Sequence, residues 1–163
     1  MKYTLSIDGI NRLKRDVIGK QKWLQERTHE LARRLAEIGV EQARISFALA
    51  PYDGIKEFDV EPLPNGDARF IVRATGDSVL FIEFGVGNIG HGHPEAADNM
   101  MGPGTYPGQT HVPVPGWWYL PKEIQETTGK ETSIGNPASM PMYNAVKYLE
   151  QHLEQIAREV FAE

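Results

Sequence analysis

Cysteine is absent from the 163 residues, which excludes disulfide bonds, thiolate metal ligands and a cysteine nucleophile. No apolar run approaches the roughly 18 residues that a membrane-spanning helix needs. The N-terminal residues lack the long apolar stretch of a secretory signal. The hydrophobic fraction of 40% and the charged fraction of 24% are instead typical of a globular protein. We therefore expect one domain over residues 1–163, made in a reducing cytoplasm, with no membrane partner.

An excess of positive charge is also missing, because the formal net charge is −5. Residues 1–50 carry ten Lys/Arg and six Asp/Glu, whereas residues 51–163 carry seven and 16. Overall acidity disfavours binding to nucleic acid, which depends on neutralising phosphates. The opposite signs of the two parts leave two interpretations. In the first, the basic part is a solvated helix face. In the second, the basic part of one copy pairs with the acidic part of the next, head to tail.

Two helical regions frame the chain. The pattern predicts a strand at residues 3–7, a short helix from Asp8 to Ile18 interrupted by Gly19, and a long helix over residues 20–49. In the long helix an apolar stripe repeats every seven residues, at Leu24, Leu31, Ile38 and Ile45. A second amphipathic helix begins near Pro141, with Met142, Val146, Leu149, Leu153, Ile156 and Val160 at spacings of three and four.

Between the helices the sequence favours β structure. It predicts strands near residues 57–61, 69–74, 78–84 and 117–120, with a hairpin turn at Asn65-Gly66. The apolar run at 78–84 is predicted to be the central strand. Residues 85–116 are rich in Gly and Pro and form a long predicted loop. The expected fold class is α+β, an antiparallel sheet of about four strands flanked by the two helices.

Histidines in the long loop are the best candidates for chemistry. His91 and His93 flank one Gly, and with His111 and Glu95 or Asp98 they make a possible divalent-metal site. A metal-dependent enzyme is therefore the alternative interpretation, although the spacing matches no established zinc signature. Gly85, Gly87 and Gly90 fit the pattern GxGxxG, but His-Gly-His-Pro follows, which does not open the helix that a dinucleotide site needs. No Ser lies in a GxSxG elbow.

Glu83 is unusual because it lies within an otherwise apolar run. If it is buried, its charge must be paired or hydrogen-bonded, and Arg69 or Arg73 on a neighbouring strand is the expected partner, with simple exposure as the alternative. The side chains of Trp117, Trp118 and Tyr119 cannot all face inward, because successive residues of a strand point to opposite faces. At least one of these side chains must therefore reach the other face, either at an interface or beneath the long loop.

The segment Phe81-Ile82-Glu83-Phe84-Gly85-Val86-Gly87 resembles the FxEFGTG signature of the tail-completion, or head–tail joining, proteins of long-tailed lambdoid bacteriophages, with Val86 in place of the usual Thr. Two further features follow in the family's order. One is the aromatic segment 116–119 after a His/Pro/Gly-rich loop. The other is the segment 135–142, GNPASMPM, which opens the final helix and resembles the family's G-x-P-x-x-P-F/M segment with one additional residue between the prolines. With the long N-terminal helix included, the resemblance spans roughly residues 20–161.

The resemblance implies a non-enzymatic structural virion protein of a phage or prophage, without cofactor, located at the head–tail junction after assembly in the host cytoplasm. It implies a neck subunit that forms a ring with copies of itself. Its other partners would be the head-side connector or stopper and the tail terminator or tail tube, with no sequence-specific nucleic acid. The expected partner interface comprises Phe81, Glu83, Phe84, Gly85, Gly87, Trp117 and Trp118.

Overall fold

The computed structural model describes residues 6–87, 89–90, 93 and 118–162. Its first element is one continuous helix, α1, from Ile7 to Leu49. Ser6 caps the helix, because its Oγ accepts a hydrogen bond from the Gly9 N–H at 3.1 Å. The prediction of a separate short helix that ends before Gly19 was wrong, since a single Gly costs a helix only about 1 kcal/mol relative to Ala. The predicted strand at residues 3–7 falls mainly outside the described residues, and Ile7 is helical.

The predicted hairpin is present. Strand β1, Asp59–Pro64, pairs antiparallel with β2, Phe70–Thr75, in the register Asp59 to Thr75 and Pro64 to Phe70. The Asn65 N–H donates to the Arg69 carbonyl at 2.9 Å, which closes the turn. Ion pairs join Asp59 to Arg44 of α1 and Glu61 to Arg73.

The predicted central strand at 78–84 is a short helix, α2, Val79–Phe84. A short apolar run has no period that separates a buried strand from a buried helix. Here Val79, Ile82 and Glu83 are buried, at the spacing of one helical face. Ser78, just before the helix, donates its hydroxyl to the Glu57 carbonyl at 2.7 Å and so fixes the turn that ends the hairpin.

The C-terminal part combines two short ladders and two helices. Strand β3, Val86–Gly87, pairs with β6, Gly135–Asn136, and β4, Trp118–Tyr119, pairs with β5, Thr132–Ser133. Helix α3 spans Lys122–Thr128, which the sequence did not predict, and α4 spans Pro141–Ala162, as predicted. Among the described residues the strands thus form three two-stranded sheets, and the expected sheet of about four strands is not seen.

The core lies where α1 meets the β1–β2 hairpin, α2 and α4. Its buried apolar residues include Val40, Ala43, Phe47, Val60 and Ile82. The α1 residues that face it are not the heptad stripe, because Leu24 and Ile45 of that stripe are about half exposed. α4 lies along α1 in the opposite direction, with Leu149 near Gly39 and Phe161 against Trp23. None of the helices described is both long and apolar enough for a bilayer.

Candidate functional site

The Glu83 carboxylate is buried and makes three contacts. Oε2 accepts from the Met142 N–H at 2.8 Å, and Oε1 accepts from the Tyr143 N–H at 3.1 Å. Oε1 also lies 3.1 Å from Nε2 of His93. The predicted partners were therefore wrong, because Arg73 pairs with Glu61 across the hairpin and Glu83 reaches the N-terminus of α4 instead.

Helix α4 needs this carboxylate because of how it begins. The Met140 carbonyl accepts the first helical hydrogen bond, from the Asn144 N–H at 2.8 Å, so Met140 occupies the N-cap position. Methionine has no side-chain oxygen to accept the free N–H groups of the first turn. Glu83 supplies that acceptor from α2, and its negative charge is favourable beside the positive end of the helix dipole. We call Glu83, His93 and the first turn of α4 the Glu83 junction.

His93 is the one residue of the proposed metal set that the structure describes, and its side chain is only 2% exposed. Its ring lies 4.3 Å from that of Phe84 and 5.7 Å from that of Tyr143, measured between centroids. The other members, His91, Glu95, Asp98 and His111, lie outside the described residues. Within the described part of the chain, no group of three or more His, Asp or Glu side chains is placed to hold a metal ion.

Backbone pairing extends the Glu83 junction along the chain. The Ser139 N–H donates to the Ile82 carbonyl at 2.9 Å and the Met140 N–H to that of Glu83 at 3.3 Å. The β3–β6 ladder continues this contact by pairing Val86 with Asn136 and Gly87 with Gly135. Gly135 has a φ of 106°, and a Cβ there would lie 1.9 Å from the Val86 carbonyl oxygen. Only glycine lets the two backbones approach this closely.

A second set of polar contacts fixes the loop after α1 to the same region. The Asp53 N–H donates to Oδ1 of Asn136 at 2.9 Å. Oδ2 of the Asp53 carboxylate accepts from the Ser133 hydroxyl at 2.9 Å. Lys130 pairs with the same carboxylate. Asp53 therefore connects the end of α1 to β5 and β6.

Most of the predicted interface residues that the structure describes are turned inward. Gly85 and Gly87 are buried, and Phe84 is half-buried against His93. Phe81 is half-buried and stacks on Tyr52, with centroids 6.4 Å apart. Burial raises the pKa of Tyr52 above its ordinary value, and the nearby Asp77 carboxylate raises it further. Trp118 belongs to β4, and Trp117 lies outside the described residues.

A groove of about 790 Å³ runs beside the Glu83 junction, between β2, α2 and α4. Its described lining is mainly apolar, with Ile71, Leu80 and Val146 partly exposed. No Ser or Thr is among the described residues that line it. A general base must lie within hydrogen-bond reach of its substrate, and the Glu83 and His93 side chains are only 8% and 2% exposed. The arrangement is suited to holding chain segments together.

Sequence reasoning missed the partner of Glu83 because the contact joins residues 59 and 60 positions apart. One signal was present. Pro141 suits a first helical position, yet Met140 before it is no capping residue, so an acceptor had to come from elsewhere. Glu83, an acid within an apolar run, was the side chain available to accept those hydrogen bonds.

Comparisons of the sequence and the structure with family models, curated proteins and solved structures found no match to this chain.

Proposed function

We propose that the chain is a structural virion protein of a tailed phage or prophage, a neck or tail-completion subunit that joins the head connector to the tail as part of a ring. One observation carries this proposal. The two segments that resemble the joining-protein family, 81–87 and 135–142, are far apart in sequence but directly hydrogen-bonded, through Glu83 to Met142 and through the β3–β6 ladder. Motifs that meet in the fold are expected to belong to one structural unit.

In this proposal the 81–87 segment acts mainly by positioning. Glu83, Gly85 and Gly87 hold α2 and the start of α4 together, and the half-buried Phe81 and Phe84 pack beside them. The segments that follow, with Trp117 and Trp118, would then contact neighbouring subunits. The subunit would be largely monomeric in dilute solution and form its ring against the connector. A stable hexamer of the isolated protein in sedimentation would contradict that expectation.

The direct test is deletion of the gene from the phage or prophage that carries it. The expected result is DNA-filled heads and separate tails in electron micrographs, with joined particles restored by a plasmid copy of the wild-type gene. A copy carrying Glu83→Ala should restore fewer joined particles than one carrying Glu150→Ala, which removes an exposed carboxylate of α4. Joined, infectious particles from the deletion strain would refute the proposal.

Metal analysis separates this proposal from the enzyme alternative. After purification without chelators, the structural protein should carry no stoichiometric divalent metal. Stoichiometric metal that is lost in His93→Ala would favour a metal-dependent enzyme built on the histidine loop.

A further inference from the structure

The N-terminal part of α1 extends past the end of α4. Trp23 contacts Phe161 with ring centroids 5.7 Å apart, and α4 ends at Ala162. The residues before this contact, 7–22, form about 24 Å of helix at 1.5 Å per residue. We call them the α1 extension. All of them are exposed apart from the half-buried Gly9 and Asp16.

Large apolar side chains follow one face of this extension. Ile10, Leu13 and Val17 are 56%, 40% and 54% exposed, and Leu24, about two turns beyond Val17, is 52% exposed. Their spacing of three, four and seven residues places them on one stripe. The described residues of the chain leave this stripe about half uncovered, and a contiguous exposed apolar surface of this kind is typical of a contact with another protein.

The charge of the extension restricts its partner. It contains five Lys/Arg and two Asp/Glu, a formal charge of +3, so the remainder of the chain carries −8 to give the total of −5. Lys14 and Lys20 flank the apolar stripe. Two extensions placed side by side would repel each other, whereas the acidic remainder of another copy would attract an extension.

An acceptor of matching chemistry lies near the other end of α1. A groove of about 420 Å³ between α1 and β1 is lined by Glu37, Glu41, Ile45 and Pro62, with Val40 and Arg44 beside them. Ile45 is 47% exposed, so the groove offers both carboxylates and apolar surface. Arg44 pairs with Asp59 at 3.3 Å, and Arg33 pairs with both Glu30 and Glu37. With Glu41, these four acids and two bases around the groove carry a formal charge of −2.

An extension cannot reach the groove of its own chain. Val17 and Glu41 belong to the same continuous helix, and 24 residues of helix separate them by about 36 Å. Because a helix of this length does not fold back on itself, the two complementary surfaces can meet only between copies.

We infer that the α1 extension of one copy docks in the α1–β1 groove of a second copy. The contact is heterologous, and when repeated it produces a closed ring or a filament. The contact itself does not depend on the proposed function; only its use in a ring at the head–tail junction rests on that proposal. One face of the extension covers roughly 240 Å², about 24 by 10 Å, far less than the roughly 800 Å² per partner of a stable interface. The contact is therefore weak in dilute solution and strengthened by ring closure.

Photo-cross-linking of the full chain tests this contact. A benzophenone amino acid at Val17 is irradiated at high protein concentration, in a mixture of isotopically heavy and light copies. The expected products are heavy–light peptides that join residue 17 to residues 37–45 or 62. Cross-links between two extensions, or the lack of any heavy–light product, would overturn the inference.

Charge exchange provides the second measurement. Lys14→Glu with Lys20→Glu should weaken self-association in sedimentation equilibrium by about tenfold, and mixing this variant with a Glu37→Lys/Glu41→Lys variant should restore it. The control is Lys122→Glu with Lys147→Glu, the same charge change on exposed residues of α3 and α4. Equal weakening by the control, or no restoration on mixing, contradicts the contact. The gene deletion reports on the proposed function separately, since unjoined heads and tails without this cross-link overturn the contact alone.

Discussion

The packed body of the protein and the α1 extension contain apolar residues at similar helical spacing but bury them to different extents. In the body, Phe47, Val60, Ile82 and Val160 are fully buried among α1, the hairpin, α2 and α4. In the extension, Ile10 and Val17 remain more than half exposed. Phe47 belongs to the same unbroken helix as Ile10 and Val17.

The difference teaches that the neighbouring element, and not local composition, decides burial. α1 has 43 residues and α4 has 22, so at 1.5 Å per residue they are about 65 and 33 Å long. α4 can therefore accompany only about half of α1. The α1 extension, 16 of the 43 residues, keeps an apolar stripe that the described residues leave about half exposed. The following variants measure how far the two regions differ.

The largest expected difference is between Phe47→Ala and Ile10→Ala. Phe47 is fully buried and stacks on Phe58 with centroids 5.1 Å apart, so its loss should lower the free energy of unfolding by about 3–5 kcal/mol. Ile10→Ala in the monomer should change it by less than about 0.5 kcal/mol. Urea denaturation of both variants measures this. Equal losses would mean that the extension is part of the cooperative core.

Glu83→Ala should have the next largest effect. It leaves the Met142 and Tyr143 N–H groups without their acceptor, and we expect a loss of about 2–3 kcal/mol in the free energy of unfolding. Glu150→Ala is the control, because its exposed pair with Lys147 contributes little. Similar values for the two variants would show that the Glu83 junction does not stabilise the body.

Two glycines of α1 allow the same substitution in both regions. A Cβ at Gly19 would meet no atom within 4 Å, so Gly19→Ala should strengthen the helix by up to about 1 kcal/mol. A Cβ at Gly39 would lie 3.2 Å from Cδ1 of Leu149 and 3.5 Å from Cγ2 of Val72. Gly39→Ala should therefore gain less, or lose stability. Amide hydrogen exchange detects the local gain at Gly19 and urea denaturation the change at Gly39. A larger gain at Gly39 would contradict the close packing of α4 on α1.

Tyr52 gives the smallest effect, which is confined to alkaline pH. Its pKa is raised by burial above the ordinary value of 10.0, so the folded protein holds the phenol proton more tightly than the unfolded chain does. This contribution is present below pH 10 and is lost as the pH rises through the folded-state pKa. The stability of Tyr52→Phe should fall less steeply above pH 10 than that of the wild type. If the free energies of unfolding of Tyr52→Phe and the wild type fall equally above pH 10, the Tyr52 phenol does not contribute to this pH dependence.

Local signals predicted the hairpin and α4 well. Asn65-Gly66 demands a turn, and Pro141 followed by apolar residues at spacings of three and four demands a helix start. The same local reasoning was wrong at 78–84, where burial makes strand and helix patterns alike. The same reasoning wrongly predicted a break in α1 at Gly19. The low helix propensity of one Gly costs about 1 kcal/mol, which the helical residues on either side outweigh.

Long-range contacts could not be predicted in the same way. The sequence singled out Glu83 as either a buried, paired charge or an exposed one, and the N–H groups of Met142 and Tyr143 that bind it are of a kind that every residue except proline carries. The heptad stripe of α1 was correctly recognised as apolar, yet Ala36, Val40, Ala43 and Phe47 face the core instead. Which face is buried depends on where α4 and the hairpin pack.

The sequence separation of α1 and α4 also determines how long α1 exists during translation before α4 is made. About 90 residues separate Leu49 from Pro141, and a ribosome adding about 5–20 residues per second needs roughly 5–20 s to make them. During that interval the side of α1 near Gly39 has been synthesised, while α4, whose Leu149 will pack against it, is still untranslated. The nascent chain therefore exposes an apolar helix face for several seconds. We expect the yield of folded protein to depend on chaperones that bind such surfaces.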